Sequence, residues 1–453
     1  MPNGIRRCEP GRGLGSQSLG GHPVARSLVL RQSWKRLLVR CRLAAVVLIQ
    51  LAPAFAATAA LAAPQPSSEA TANAWCYSKK DAPQRIAGCS FLLALRKFKE
   101  KQRAGAFLNR GGGYLESNDL DRAIADFTEV IKYAPMRGKG LANRGEAHRR
   151  KGEVDAAIAD LDQAIALDPR DEIARYNRGI AHSDRGEPKL AIADYDEAIR
   201  LRPNDAWYYN NRGNSYIDAK EPDRAMADYD HAIRLDPKFA LAYYNRGNAY
   251  RGRNDLERAL ADYNASLRLD ARYAAAYGNR ARVFRDLGDV DRALADFDQS
   301  LRLDPAGYRD YYARGNLYLG RQDYPRAFDD FSNAIKFNAK YAAALNARCL
   351  TRVIMGQAQQ ALADCEQSLQ WNPGDPYTLD SRGICRLKLG EVDAAIADFD
   401  AALKINPKLA SSLYGRGVAR RKTGGADAAQ ADIAAAQAIQ SDIATEFARY
   451  GVE

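Results

Sequence analysis

The chain has 453 residues, of which 46% are hydrophobic and 27% charged, a globular composition that excludes a largely disordered protein. The formal net charge of +11 first suggests a nucleic-acid partner, but residues 1–63 carry +8 of it and leave only +3 for the rest of the chain. The basic excess therefore belongs to the N-terminal region, and the near balance elsewhere disfavours RNA or DNA binding.

A targeting pattern occupies the N-terminal region. A basic stretch from Arg31 to Arg42 precedes the apolar run Leu43–Leu51, and small residues with Ala-x-Ala patterns follow up to Ala63. This order of basic, apolar and small residues predicts a signal peptide over about 31–63, within a targeting region of residues 1–63. We expect the signal to be cleaved.

An uncleaved anchor is the alternative for the same segment. The 21 residues from Leu43 to Ala63 are long enough to cross a bilayer. In both cases the positive charge before the apolar run places the rest of the chain outside the cytoplasm. We therefore expect a periplasmic or secreted protein, attached to the inner membrane by residues 43–63 only if cleavage does not occur.

One arginine recurs ten times at intervals of 34 residues. It lies between an asparagine and a glycine in the first unit, Asn109-Arg110-Gly111, and an aspartate follows it in a second fixed cluster, Ala123-Ile-Ala-Asp-Phe127. The same aspartate recurs in every unit. The arginines are Arg110, Arg144, Arg178, Arg212, Arg246, Arg280, Arg314, Arg348, Arg382 and Arg416, and the aspartates are Asp126, Asp160, Asp194, Asp228, Asp262, Asp296, Asp330, Asp364, Asp398 and Asp432.

Each unit carries two apolar stretches with helical spacing. A glycine or polar residue separates them, as at Gly152 and Gly288, and a proline such as Pro169 closes most units. We expect Gly111 and its equivalents to meet Ala123 and its equivalents across each hairpin, so that the two helices approach closely. One unit cannot bury its apolar face alone, and successive units must therefore stack.

This pattern resembles the tetratricopeptide repeat in its 34-residue period and in its G-x-x-Y, A-x-x-x-F and closing proline positions. The resemblance covers about residues 104–437 and departs from the family in one respect, because arginine replaces the leucine before the glycine in all ten units. It implies an all-α fold, a right-handed α-solenoid of ten tandem helix-turn-helix repeats whose first helices line a concave face. It also implies a non-enzymatic protein that binds proteins or extended peptides.

Atypical segments flank the repeats, and we expect them to cap the solenoid. Residues 64–103 resemble a degenerate repeat, in which Arg85-Ile-Ala-Gly-Cys89 takes the place of the second fixed cluster. Residues 438–453 are predicted to form a capping helix whose apolar side chains cover the last repeat. These side chains are Ile443, Phe447 and Tyr450. Solenoids need such caps to stay soluble.

Five cysteines lie beyond the targeting region, so at least one is unpaired or pairs outside the chain. Cys76 and Cys89 flank a predicted turn, and Cys349 and Cys365 occupy the facing glycine and aromatic positions of one hairpin. In an exported chain we expect both pairs to form disulfides, with buried thiols as the alternative. Cys385 could compete for Cys365. The spacing fits no zinc site.

The matched arginines and aspartates have two interpretations. One of each per unit indicates an ion-pair ladder between packed helices, to which the donor fork of arginine is suited. A basic groove that recognises anions is the alternative. We favour the ladder, because an acid accompanies every arginine and an unpaired buried charge is costly.

The asparagine before the arginine is the main candidate binding residue. In the family this position lies on the concave face, and in one member a similar asparagine ladder holds the backbone of an extended peptide. A carboxamide both donates and accepts hydrogen bonds, so it matches a peptide unit of any sequence; local packing or solvent exposure is the alternative role. The predicted peptide-binding residues are Asn109, Asn143, Asn177, Asn211, Asn245 and Asn279, with Tyr176, Asn210, Asn214, Tyr244, Asn248, Arg251, Arg282 and Arg285 on the same face.

The sequence offers little for catalysis, and we expect no cofactor and no metal site. His148 and His182 take the aromatic core position of successive repeats, and no phosphate-binding loop, nucleophile elbow or zinc-protease motif occurs. Our first hypothesis is a scaffold of the bacterial envelope that holds extended peptides in the groove of repeats 1–6. The alternatives are an envelope assembly adaptor that acts through its convex face and caps, and a regulatory subunit associated with an enzyme.

Overall fold

The structure is a computed structural model that describes residues 65–78, 81–95 and 97–452. Over these residues the chain is all-α, with 23 α-helices and one short 3-10 turn at Ala134–Met136. None of the described helices combines the length and the apolarity that a membrane crossing requires. The predicted signal peptide and the alternative anchor at 43–63 lie outside the described residues.

The helices alternate as first and second helices of successive hairpins. One hairpin, α1 (Glu69–Cys76) and α2 (Ala82–Ala94), precedes the ten repeats, and α23 (Ile443–Tyr450) follows them. The first helices of repeats 1–10 are α3 (Glu100–Glu116), α5 (Arg137–Lys151), α7 (Glu172–Asp184), α9 (Ala206–Asp218), α11 (Ala240–Gly252), α13 (Ala274–Asp286), α15 (Tyr308–Gly320), α17 (Ala342–Ile354), α19 (Pro376–Lys388) and α21 (Ala410–Lys422). The second helices are α4 (Leu120–Lys132), α6 (Val154–Leu167), α8 (Pro188–Leu201), α10 (Pro222–Leu235), α12 (Leu256–Leu269), α14 (Val290–Leu303), α16 (Tyr324–Phe337), α18 (Ala358–Trp371), α20 (Val392–Ile405) and α22 (Ala426–Ile439).

The helices divide into two compact units. The first ends at Leu201 and contains α1–α8, and the second begins at Arg202 and contains α9–α23. Within each unit the two helices of a hairpin pack together, and the second helix of one repeat packs against the first helix of the next. The predicted all-α fold of tandem helix-turn-helix repeats is therefore confirmed.

Repeat 6 illustrates why these sequences form hairpins. The Asp289 carboxylate caps α14 by accepting a hydrogen bond from the backbone N–H of Arg292 at 3.0 Å. Ala293 and Phe297, one helical turn apart, have no exposed surface, because they lie on the face of α14 that packs against its neighbours. The helix ends two residues before Pro305, whose ring cannot continue it.

A residue with left-handed backbone conformation joins the two helices of every repeat. Glycine occupies this position in six repeats, for example Gly152 with φ of 86° and Gly288 with φ of 78°. The other four repeats use Asn118, Lys220, Asn254 and Gln322, with φ between 58° and 63°. Glycine adopts positive φ without the clash that a Cβ creates. The breaks predicted at Gly152 and Gly288 are therefore present.

The glycine after the repeated arginine packs against the aromatic ring of the second helix. A Cβ added to Gly111 would lie 2.7 Å from the Phe127 ring, and one added to Gly213 would lie 2.7 Å from the Tyr229 ring. The predicted contact of the glycine with the alanine is present in repeats 2 and 10, where a Cβ at Gly145 would lie 3.1 Å from the Ala157 oxygen and one at Gly417 3.0 Å from the Ala429 oxygen, whereas at Gly111 the aromatic ring is nearest. The ring of Phe127, one turn further along α4, reaches across the hairpin and fills the space that a side chain would need.

The helix α23 covers the end of the second unit. Ile443 and Phe447 have no exposed surface, and Tyr450 is 5% exposed, so the predicted apolar face is buried. The ammonium group of Lys388, from α19, donates a hydrogen bond to the backbone oxygen of Tyr450 at 2.5 Å. Gly451 then ends the helix with φ of 65°.

Candidate functional site

The repeated arginines and aspartates form the predicted ion-pair ladder. In all ten repeats Nε and Nη2 of the arginine donate to the two carboxylate oxygens of the aspartate 16 residues later, over 2.6–2.9 Å. The aspartates are only 3–7% exposed, so the pairs lie inside the hairpins. This bidentate geometry is the one that guanidinium and carboxylate groups favour.

A further nitrogen of the same arginine reaches the preceding repeat. Arg246 Nη1 donates to Asp230 at 2.6 Å, and Arg314 Nη1 donates to Asp298 at 2.5 Å. Arg178 and Arg416 donate to Asp162 and Asp400 in the same way. In four other repeats the acceptor is a neutral side chain, namely Ser90, Thr128, Asn264 or Ser332. Each of these arginines joins two consecutive hairpins, and its donors are used within the protein. The ladder is therefore structural, and the alternative of an anion-recognising groove loses its basis.

Aromatic rings enclose the same guanidinium groups. Arg246 Cζ lies 5.7 Å from the ring centroid of Tyr243 and 5.9 Å from that of Tyr250. Arg212, Arg280 and Arg314 lie between two rings in the same way. A cation over an aromatic face is attracted by the ring quadrupole. The hydrogen bond to Asp262 and the charge of that carboxylate raise the pKa of Arg246.

Carboxamides on the first helices of the second unit form a hydrogen-bonded network. Asn245 Nδ2 donates to Asn210 Oδ1 at 2.9 Å. Asn279 Nδ2 donates to Asn248 Oδ1 at 2.8 Å and to the Tyr244 hydroxyl at 3.0 Å. These bonds connect successive first helices. These asparagines, which were predicted to bind a peptide, therefore use part of their hydrogen-bonding groups within the protein.

Two tyrosines of the second helices orient the next carboxamides. The Tyr229 hydroxyl donates to Asn214 Oδ1 at 2.8 Å, and the Tyr263 hydroxyl donates to Asn248 Oδ1 at 2.7 Å. The tyrosines are at most 2% exposed, so their positions are fixed by packing. In these bonds Asn214 and Asn248 use their oxygens, and among the described residues their amide nitrogens donate to no protein acceptor.

Three of the predicted binding residues are buried. Asn210 has no exposed surface, Asn211 is 8% exposed and Tyr176 is 6% exposed. Asn210 bonds to both Asn211 and Asn245, and Tyr176 packs its ring 5.8 Å from that of Tyr195. These side chains support the groove instead of lining it, because neighbouring helices cover them. The prediction of direct peptide contact is corrected for these three.

The asparagines of the first unit do not form such a network among the described residues. Asn109, Asn143 and Asn177 are half-buried. Asn143 Nδ2 donates to the backbone oxygen of Lys139, one turn earlier in its own helix, at 2.7 Å. Peptide contact by these three residues stays a prediction.

Two of the three predicted arginines of the groove already pair with protein carboxylates. Arg282 pairs with Asp310 at 2.6 Å, and both side chains are largely buried. Arg285 is exposed and pairs with its neighbour Asp286 at 2.7 Å. Arg251 is half-buried at the end of α11. Direct recognition of a peptide by Arg282 would therefore require it to leave Asp310.

The structure brings three of the predicted residues to one cleft in the second unit. Asn214, Asn245 and Asn248 line a cleft of about 550 Å³ between α9 and α11. Its other lining residues are Ile217, Asp218, Lys220, Pro222, Tyr229, Ala249, Gly252 and Arg253. Ile217 is 40% exposed, and partial burial raises the pKa of Asp218. We call this region the carboxamide cleft.

Sequence reasoning missed the apolar edge of the carboxamide cleft. Ile217 occupies a position where the next two repeats carry Arg251 and Arg285. The contrast with those two arginines was the available signal, and Leu115, Leu319, Val353 and Leu387 show that apolar residues also occur at this register in other repeats. The contrast indicates a local apolar contact that a regular groove of charged and amide groups would not have.

The two repeated histidines lie beside the ladder. His148 Nδ1 is 2.6 Å from Glu153 Oε2, and His182 Nδ1 is 2.8 Å from Glu187 Oε2. Both histidines occur at the same register, as the sequence indicated. Among the described residues no group of three or more His, Cys, Asp or Glu side chains is placed to hold a metal ion.

Two cysteine pairs lie at disulfide distance. The sulfur atoms are 2.08 Å apart in Cys76–Cys89, which joins α1 and α2, and 2.09 Å apart in Cys349–Cys365, which joins α17 and α18. Cys385 is buried and donates its thiol hydrogen to the backbone oxygen of Ala358 at 3.0 Å. Burial raises the pKa of Cys385 to about 12, so its thiol stays protonated.

Three solved structures illustrate the similarity to known proteins. YrrB, a TPR protein with an unusual peptide-binding site, is 25% identical over 41% of this chain and 96% of its own, with a TM-score of 0.35. A tetratricopeptide repeat protein from Parabacteroides merdae is 20% identical over 55% of this chain and 98% of its own, with a TM-score of 0.45. The Cut9–Hcn1 hetero-tetramer of the APC/C is 14% identical over 83% of this chain and 84% of the matched chain, with a TM-score of 0.47.

Family models match most of the repeat region. Tetratricopeptide repeat models match residues 108–172, 143–206, 240–273, 279–344 and 355–439, and a TPR repeat model matches residues 213–252. No curated protein matches the sequence. The matches cover repeats of both units and agree with the described helical hairpins. The chain belongs to the tetratricopeptide repeat family.

Proposed function

We propose that this protein is a non-enzymatic scaffold that holds an extended peptide segment in the carboxamide cleft. The observation that carries the proposal is the position of Asn214, Asn245 and Asn248 beside the exposed side chain of Ile217. Each peptide unit offers one donor and one acceptor. Asn214 and Asn248 keep amide donors, and Asn245 keeps an acceptor oxygen. Ile217 supplies an apolar contact for a side chain of the segment.

The carboxamides are held in place before a ligand arrives. Tyr263 and Asn279 both donate to Asn248, and Tyr229 donates to Asn214. A side chain fixed in this way loses little rotamer freedom on binding, so more of the hydrogen-bond energy contributes to affinity. The carboxamides recognise backbone groups and so accept any peptide sequence, whereas Ile217 favours an apolar side chain beside them.

The cleft is tested by filling it. The Cβ of a residue introduced at Gly252 would meet no atom within 4 Å, so Gly252→Trp can be accommodated while its indole blocks the cleft. Gly320 ends α15 at the same register, has equally open surroundings and lies outside the cleft. We expect Gly252→Trp to abolish the capture of partners from envelope extracts and Gly320→Trp to leave it intact. Equal capture by both variants would rule out the cleft as the binding site.

Photocrosslinking gives an independent test of the same site. A photoreactive amino acid at Ile217, which is 40% exposed, should crosslink to the bound segment. The same group at Leu190, a 50% exposed residue on α8, should not. Mass spectrometry of the crosslink would identify the segment. Equal crosslinking yields at the two positions would indicate random collision instead of a site.

We also propose that the scaffold acts in the bacterial envelope. The targeting pattern of residues 1–63 and the two cysteine pairs at disulfide distance support this location, because disulfides persist in oxidising compartments. N-terminal sequencing of the protein purified from its natural source should find a start close to Ala63. A start before Leu43 would contradict cleavage of the signal.

A further inference from the structure

Of the described second helices in the second unit, five end in an exposed apolar side chain, the last of them in Ile439, which is 50% exposed. Leu269 and Phe337 are each 41% exposed, Trp371 is 46% exposed and Ile405 is 51% exposed. Each is the last residue of its helix, at the same register of the repeat. Exposed apolar residues are usually scattered singly over a soluble protein. Here the repeat brings them together in a row.

Repeats 7 and 8 enlarge the side chain at this register, and repeat 9 keeps an aliphatic side chain as large as leucine. The three preceding repeats carry Leu235, Leu269 and Leu303, whereas repeats 7–9 carry Phe337, Trp371 and Ile405. We call Phe337, Trp371 and Ile405 the outer row. Large aromatic side chains are enriched at protein interfaces because they bury much area at a low cost in rotamer freedom.

The same three repeats remove an acid beside the row. The residue after the apolar side chain is Asp236, Asp270 or Asp304 in repeats 4–6 and Asn338, Asn372 or Asn406 in repeats 7–9. The backbone turn after the second helix does not require the exchange of aspartate for asparagine. Asp270 Oδ1 accepts from the backbone N–H of Arg272 at 2.9 Å, and Asn406 Oδ1 accepts from that of Lys408 at 3.2 Å. The exchange of Asp for Asn therefore changes the charge and keeps the turn.

Exposed lysines border the outer row. They lie one residue before or three residues after its members and are Lys336, Lys340, Lys404 and Lys408. Lys340 Nζ lies 4.7 Å from the ring centroid of Trp371, so the turn after Phe337 adjoins the next member of the row. Asp375, in the turn after Trp371, uses its carboxylate to cap α19 through the backbone N–H of Thr378 at 3.0 Å.

We propose that the outer row and its four lysines form a docking surface for an acidic segment of a partner protein that also carries apolar side chains. The surface combines large apolar groups with positive charge, and complementarity selects a partner with negative charge. A row carried by stacked repeats follows their rotation, which a flexible chain can track over three repeats and a flat bilayer cannot. The row lies at the turns between repeats, whereas the carboxamide cleft lies near the turn within a repeat, so the surface does not depend on the cleft.

The proposal is tested by titration of the purified protein with a labelled 16-residue peptide in which glutamate alternates with leucine and phenylalanine. A peptide with lysine in place of glutamate is the charge control. We expect saturable binding of the acidic peptide only, and at least tenfold weaker binding by Trp371→Ser. Leu269→Ser removes a 41% exposed side chain at the same register outside repeats 7–9 and should leave the dissociation constant unchanged.

A second variant keeps the test valid if Trp371→Ser fails to fold by circular dichroism. Lys404→Glu with Lys408→Glu changes two exposed side chains and should also weaken binding of the acidic peptide at least tenfold. Absence of saturable binding, or an equal loss with Leu269→Ser, would overturn the proposal. Vesicles of phosphatidylglycerol and phosphatidylcholine serve as the other probe, and tighter binding to these vesicles than to the acidic peptide would also overturn it.

Discussion

The repeated arginine makes three contacts that the leucine usual in this family cannot make. At Arg246 the guanidinium pairs with Asp262 of its own hairpin, donates to Asp230 of the preceding repeat and lies over the ring of Tyr243. A planar group with donors at fixed angles suits such a position. The pairing with Asp262 could be predicted, because arginine and aspartate share one period. The hydrogen bond to Asp230 in the preceding repeat could not be predicted, because the residue type of the acceptor changes from repeat to repeat.

The asparagine row shows the limit of prediction at single residues. The sequence identified the carboxamides of the first helices, but it gave every member the same role. In the second unit Asn210 is fully buried, whereas Asn245 and Asn248 line a cleft. The difference arises from how closely neighbouring helices pack at each repeat, and a periodic pattern carries no information on that distance.

Asp380 is a buried acid that accepts hydrogen bonds from hydroxyl groups. The hydroxyls of Ser411 and Ser412 donate to its carboxylate at 2.7 and 2.6 Å, and the residue is 7% exposed. Burial raises the pKa of Asp380 from 3.8 to about 6, and the charge of Glu446 acts in the same direction. The protonated form is therefore favoured in the folded state more than in the unfolded state.

The raised pKa of Asp380 predicts a pH-dependent stability. Well below pH 3.8 the carboxyl is protonated in both states and carries no penalty. As the pH rises from 3.8 through about 6, the unfolded chain ionises first and the folded state must then bury a charge, so stability is lost. Relative to Asp380→Asn, the natural protein should lose about 2 kcal/mol of unfolding free energy between pH 4 and pH 7. Urea unfolding of both proteins at several pH values measures this, since other titrating groups cancel. A difference that stays constant with pH would contradict the assigned pKa.

At the scale of the hairpin, one pair of positions decides how close the two helices lie. A glycine of the first helix faces an aromatic ring of the second in most repeats, as Gly315 faces Phe331 and Gly383 faces Phe399. Repeat 8 places Cys349 and Cys365 at these two positions instead, and their sulfur atoms lie at disulfide distance. The sequence predicted this pair because it placed both cysteines at facing positions.

Replacement of the cysteines by the pair of the neighbouring repeats should keep the hairpin without a disulfide. We expect Cys349→Gly with Cys365→Phe to fold and to lose less stability on reduction than the natural protein, because only the Cys76–Cys89 pair is then left to reduce. The natural protein should lose about 3 kcal/mol more than this variant when reduced, because the Cys349–Cys365 disulfide restricts the unfolded chain. Thermal unfolding with and without dithiothreitol measures both effects. A natural protein insensitive to dithiothreitol would show that the cysteines are not bonded.

A count of thiols gives a second check at the level of the hairpins. Among the described residues Cys385 is the cysteine without a sulfur partner, and it is buried. Alkylation of the denatured, unreduced protein, followed by intact-mass measurement of the chain that begins after residue 63, should therefore find one modified thiol. Five modified thiols would contradict both pairs, and three would contradict one of them.

For the whole molecule, the period alone was sufficient to predict the fold. Ten arginines at equal spacing require ten equivalent hairpins, and the described helices repeat with that spacing. The division at Leu201 and Arg202 could not be predicted, because the period continues through it without an insertion. The carboxamide cleft and the outer row arise where single repeats deviate from the common pattern. Function in such a chain is therefore expected where the repeat is broken.

The folding free energy of a repeat protein is approximately the sum of the free energies of its single repeats and of the interfaces between neighbours. A defect in one repeat should therefore remain local. Arg246→Met removes the partner of Asp262, which is 5% exposed, and the bond to Asp230 in the preceding repeat. Loss of a partner to a buried charge costs about 3–5 kcal/mol. We expect hydrogen exchange to accelerate in repeats 4 and 5, which span α9–α12, and to stay unchanged in repeats 8–10.

Two matched variants distinguish the loss of a buried ion pair from the loss of any charged side chain. Arg258→Met removes an exposed arginine of the same repeat that pairs with Asp255, and it should change exchange little because solvent screens that pair. Asp262→Asn added to Arg246→Met removes the uncompensated charge and should recover part of the lost protection. Acceleration of exchange throughout the second unit by Arg246→Met would show that its repeats unfold together, and the ladder would then stabilise the unit as a whole instead of single interfaces.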